Sequence, residues 1–74
     1  MDVWEYRKLD CDFEKGAWRV RQANDAELAN WKKGLPVVEV ANQLGGTGWE
    51  LVTSHPGPGS YQNSFTLWFR RRRT

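Results

Sequence analysis

Cysteine and histidine are nearly missing from this sequence: among 74 residues, Cys11 and His55 are the single examples of each. One thiol cannot build a disulfide framework. One Cys with one His cannot complete a tetrahedral zinc site. No metal and no cofactor is therefore expected. Nucleophilic catalysis needs a nucleophile, a base and an orienting group that converge, and those groups are scarce here, so a non-enzymatic protein is expected. No apolar run reaches the roughly 18 residues that suggest a membrane-crossing helix. The opening residues Met1-Asp2-Val3-Trp4-Glu5 show no basic segment followed by an apolar stretch, so no signal peptide is expected. The cytoplasm is the expected location, and a lone thiol fits a reducing compartment.

Aromatic residues, in contrast, are plentiful: five tryptophans, two tyrosines and three phenylalanines. A chain of this length is expected to form a single domain over residues 1–74, with a small core. Bulky rings let such a core bury a large apolar area. Charge is unevenly placed. Four of the eleven Lys and Arg residues are Arg70 to Arg73, so residues 1–69 carry seven against nine Asp and Glu. The body is mildly acidic, and residues 70–74 form a basic C-terminal end.

The hydropathy pattern predicts strands at both ends. Trp4 and Tyr6 alternate with Glu5 and Arg7 in a strand from Val3 to Phe13. Glu14-Lys15-Gly16 reads as a tight turn, and Ala17 to Gln22 as the returning strand. Residues 24–34 leave two readings open. Asn24 and Glu27 could form a capping box for a short helix, or Asn24-Asp25 could be a turn followed by an extended edge. Pro36 is placed to begin a helix whose apolar face is Val37, Val40, Ala41 and Leu44, with Gly45 and Gly46 ending it. Trp49 to Ser54 and Ser64 to Arg71 read as strands joined by a loop rich in Pro and Gly from His55 to Ser60.

The expected fold class is α+β: an antiparallel sheet of three to four strands with one helix on its apolar face, in β-β-α-β-β order. The expected core is Trp4, Tyr6, Val40, Leu44, Trp49, Leu51, Phe65, Leu67 and Phe69. The opposite face is expected to carry Glu50, Val52, Thr66, Trp68 and Arg70, with Glu5 and Arg7 added by parity.

The passage Val37-Val38-Glu39-Val40-Ala41-Asn42-Gln43-Leu44-Gly45-Gly46-Thr47-Gly48-Trp49-Glu50-Leu51-Val52 resembles the signature of a small bacterial family, domain of unknown function 4177. Trp4-Glu5-Tyr6 and Phe69-Arg70-Arg71 match its opening and closing strands. Residues 12–35 do not share the resemblance. It implies a fold and supplies no activity, cofactor or catalytic residue.

Gly45-Gly46-Thr47-Gly48 is not a phosphate loop. Such loops follow a strand and open a helix, where free amides and the helix dipole meet the anion. Here the glycines follow a helix and precede a strand, where the dipole repels phosphate. A helix cap with a left-handed glycine is expected.

Three binding surfaces remain. Val52, Thr66, Trp68 and Arg70 on the outer face form a candidate interface for a homodimer. Arg70, Arg71, Arg72 and Arg73 beside Trp68 form a candidate nucleic-acid contact. The bland reading of that run is a solubilising, edge-blunting terminus, favoured by the acidic body. Trp18, Trp31 and His55 are a candidate small-ligand pocket. The leading expectation is an interaction domain that self-associates through its sheet.

Overall fold

A computed structural model describes residues 3–56 and 64–73. Its strands are β1 (Val3–Glu14), β2 (Ala17–Ala23), β3 (Ala26–Glu27), β4 (Glu50–Pro56) and β5 (Ser64–Arg73), with one helix, α1 (Val37–Gly46). They form one five-stranded sheet in the order β3-β2-β1-β5-β4. Every pairing in it is antiparallel. The α+β class and the β1–β2 hairpin are as expected. The strand count and element order are not. The short β3 and a 3-10 turn at Trp31–Lys33 lie between the hairpin and the helix. Of the two readings of residues 24–34, the turn at Asn24-Asp25 followed by an extended edge is the one that forms, though the edge is only two residues long, and no capping-box helix appears. Asn24 and Asp25 take positive φ of 51° and 68°, a conformation these short polar residues tolerate. His55 and Pro56, expected to open the Pro-Gly loop, continue β4 instead; the rest of that stretch lies outside the described residues.

The long hairpin begins with Lys15 and Gly16 at positive φ, 53° and 79°, the pattern of a two-residue turn whose twist matches the flanking strands. β1 then runs along β5 without a break, from Val3 opposite Arg73 to Asp12 opposite Ser64. Leu9 stands opposite Leu67 and Cys11 opposite Phe65, which sets odd-numbered residues of both strands on the helix side. Leu9, Cys11, Val20, Leu44, Trp49 and Phe69 are the buried core, flanked by Ala23, Val37, Val40, Ala41, Phe65 and Leu67.

This register overturns part of the expected core. Trp4 and Tyr6 lie on the open face, and Glu5 and Arg7 on the helix side. Leu9, Cys11 and Phe13 share the opposite parity to Trp4 and Tyr6, so an unbroken strand cannot turn both sets inward. Leu9 and Cys11 are the buried members of their set, whereas Phe13 is 48% exposed and packs edge-on against Trp18. Leu51 is also outside the core, 56% exposed. It lies on edge strand β4, while α1 packs toward β2 on the other side of the sheet.

Pro36 caps α1 from just outside it. Its ψ of 151° is extended, and its carbonyl accepts from Glu39 and Val40 at 3.0 and 3.3 Å. Gly45 and Gly46 stay helical; the stop comes at Gly48, φ 93°. There Trp49 N–H donates to Leu44 O at 3.0 Å and Gly48 N–H to Gly45 O at 3.2 Å. This is the Schellman pair of bonds, with Gly48 as its left-handed residue. Leu44 and Trp49, which the motif brings together, are both in the core. The Gly-rich stretch is thus a corner, and Gly48 is the glycine the corner requires. No helix among the described residues is long and apolar enough to cross a membrane.

Candidate functional site

One side of the sheet carries α1, and among the described residues the other carries no helix. The even-numbered residues of β1 and β5 build that open face. Trp4 stands opposite Arg72, Tyr6 opposite Arg70, Lys8 opposite Trp68 and Asp10 opposite Thr66. β4 adds Glu50 opposite Arg70, Thr53 opposite Trp68 and His55 opposite Thr66. A bulge between Leu51 and Thr53 interrupts this ladder at Val52. An extra residue at a bulge re-aims its neighbours. Val52 and Thr53 both border the open face, where with Tyr6 and Trp68 they line an apolar depression. Tyr6 is 56% exposed and Val52 49%.

Cations are interleaved with the rings. The Arg70 guanidinium lies 4.2 Å and that of Arg72 5.7 Å from the centre of the Trp4 ring. Lys8 Nζ sits 5.8 Å from that of Trp68. These contacts are each worth about 0.5–1 kcal/mol at exposed sites. Arg70 also pairs with Glu50, and Lys8 with Asp25. The hydrogen bond to Asp25 raises the Lys8 ammonium above its ordinary pKa. Trp68 Nε1 donates to His55 Nε2 at 3.0 Å, and His55 Nδ1 faces the Pro56 carbonyl at 2.8 Å. The carbonyl can only accept, so the proton sits on Nδ1 and Nε2 is the acceptor, the neutral tautomer.

Below this region the open face closes over. Thr66 Oγ1 donates to Asp10 Oδ1 at 2.6 Å, and both residues are buried. With its amide turned to suit its neighbours, Gln22 donates to Asp10 Oδ2 at 3.0 Å and accepts from Arg21 at 3.1 Å. Arg21 in turn pairs with Asp12 at 2.9 Å. Thr66, expected in the interface, is therefore a buried partner of Asp10. Val52, Trp68 and Arg70 remain on the surface as expected. Tyr6 and Trp4, expected in the core, join them on the open face.

The four arginines do not form one patch. Strand alternation sends Arg70 and Arg72 to the open face and Arg71 to the helix side. Arg71 Nη2 pairs with Glu5 Oε1 at 2.6 Å, and Arg71 Nη1 donates to Thr47 O at 3.3 Å. Its guanidinium lies 4.6 Å from the ring centre of Trp49, and that of Arg7 lies 4.8 Å from it. Arg73 stands opposite Val3 at the strand end.

The expected ligand pocket also divides. Trp18 and His55 border one depression with Pro56, Phe65 and Leu67. Trp31 lines another, with Lys15, Leu28, Lys32 and Lys33. Cys11 and His55 do not meet: the thiol is buried on the helix side, and the imidazole lies on the open face. Burial, reinforced by Asp10 and Asp12, pushes the Cys11 thiol up to about 12, which removes its nucleophilic form at neutral pH. Among the described residues no group of three or more His, Cys, Asp or Glu is placed to hold a metal ion. Comparison with protein-family models, with curated proteins and with solved structures found no match.

Proposed function

We propose that this chain is a cytoplasmic, non-catalytic interaction domain that pairs with a second copy through the open face of its sheet. The observation that carries this reading is the apolar depression formed by Tyr6, Val52, Thr53 and Trp68. Two of its walls are about half exposed, and among the described residues the buried apolar core is only six side chains. Small domains gain stability by association, and closed two-fold pairs are the commonest form. Light scattering and sedimentation test the reading. A dimer is expected, and Trp68→Arg with Tyr6→Glu should yield a folded monomer. A wild-type chain that stays monomeric at high concentration rejects it.

The position of Trp4 between Arg70 and Arg72 favours a second reading, single-stranded nucleic acid lying across Trp4, Tyr6 and Trp68. The pairing of Arg70 with Glu50 and of Lys8 with Asp25 weakens it, because those cations are already partly neutralised. Binding that weakens steeply with salt and is lost in Trp4→Ala would favour this reading over self-association.

A further inference from the structure

Three lysines in none of the ion pairs among the described residues gather far from the arginine run, around the 3-10 turn. The ion pairs among the described residues engage Lys8, Arg21, Arg70 and Arg71. Lys15, Lys32 and Lys33 are in none of them, yet all three line one cleft with Trp31, Leu28 and Glu27. The cleft is built, not incidental. Arg19 fastens both walls through its guanidinium hydrogen bonds. Its Nε donates to Glu14 O at 2.9 Å and its Nη2 to Lys15 O at 3.3 Å, which holds the hairpin turn. Its Nη1 donates to Gly34 O, which holds the end of the 3-10 turn. A backbone bridge between Arg19 and Pro36 continues the same seam.

The chemistry of the lining is specific in kind. Trp31 supplies an aromatic face, with Lys32 Nζ 5.9 Å from its ring centre. Leu28, 40% exposed, supplies an apolar side. Three ammonium groups against one carboxylate leave a local excess of positive charge. Ammonium groups bind phosphate as point charges, and tryptophan stacks on flat rings. Glu27 can accept from an exocyclic amine or a ribose hydroxyl. The cleft has a volume of about 400 Å³, within the range of small-ligand sites.

We infer that the cleft between the Lys15 turn and the Trp31–Lys33 turn is a nucleotide site: a ring stacks on Trp31 while a phosphate meets Lys15, Lys32 and Lys33. The phosphate-bearing ring can come from a free mononucleotide or from the end of a nucleic acid strand, and the two sources share this chemistry.

The test titrates the four ribonucleoside 5′-monophosphates in turn into the full chain, following amide and indole resonances. At least one should give saturable shifts centred on Lys15 and residues 27–33. The matching nucleoside and inorganic phosphate should each bind at least about tenfold more weakly, because each offers only half of the contacts. Lys15→Glu with Lys33→Glu should weaken binding by about tenfold or more while the spectrum stays dispersed, since two exposed attractive charges become repulsive. A single-stranded hexanucleotide that shifts the same residues more tightly supports the site and assigns its source to strand ends. Equal or weaker hexanucleotide binding supports it with the free nucleotide as source. Absence of shifts with all four monophosphates overturns the inference, as do unchanged titrations in the double variant. The site is independent of the open face, so Trp68→Arg should leave the titration unaltered.

Discussion

The C-terminal arginines and the lysines around Trp31 are the two basic regions of this molecule, and they are used in opposite ways. The arginines are contiguous in sequence, but a strand deals neighbours to alternate faces. Arg70 and Arg72 join Trp4 on one side, and Arg71 joins Glu5 and Trp49 on the other. The lysines are fewer and scattered, from Lys15 to Lys33. A turn against a turn gathers them in one cleft with no acidic residue bonded to them among the described residues. A run of charge thus says little about surface potential until its periodicity is known. A strand disperses a basic run and a loop can concentrate one.

The contrast predicts that substitutions near the arginines act on stability and those near the lysines do not. The largest effect is expected from Trp49→Ala, which empties the place between Arg7 and Arg71. A loss of about 3–5 kcal/mol, typical for a buried aromatic, should leave the chain largely unfolded by circular dichroism. Next comes Arg71→Ala, which strands Glu5 and uncovers Trp49. A loss of about 2 kcal/mol is expected in urea denaturation. Gly48→Ala should cost about 1–2 kcal/mol in the same measurement, because φ is 93° there and an added Cβ would lie 3.4 Å from the Arg71 side chain. Lys33→Ala should change stability by less than about 0.5 kcal/mol. If Lys33→Ala destabilises as much as Arg71→Ala, the division of labour is wrong.

Alkaline pH gives a further probe. Folding raises the Cys11 thiol from 9.0 to about 12. The unfolded chain therefore releases this proton first. Its contribution to stability is unaffected below pH 9 and falls as pH climbs from there toward about 12. Cys11→Ala should flatten that part of the profile, read as the urea midpoint against pH.

The sequence made the alternating strands and the α1 stripe readable because both periods recur several times. Phe65, Leu67 and Phe69 fixed the inward parity of β5, and that parity already implied that Arg70 and Arg71 separate. In β1, Trp4 and Tyr6 suggest an inward parity that the structure does not adopt, because large rings are natural core candidates. The competing signal, Leu9 and Cys11, lies on the other parity, and their burial in the core with Leu44 of α1 decides the outcome. β3 could not be read from two residues, Ala26 and Glu27. The cleft at Trp31 needed the Arg19 bonds, which join residues distant in sequence and follow no local pattern.

The strap that Arg19 fastens also changes how this sheet could grow. A strand ladder lengthens only where a free edge accepts another strand. On the β2 side, a two-residue β3 and the bridge to Pro36 leave little edge to extend. On the β4 side the edge is longer, but the bulge at Val52 puts it out of step and Pro56 has no amide hydrogen to offer. Edges shortened or put out of step in this way disfavour the strand-by-strand addition that builds a fibre.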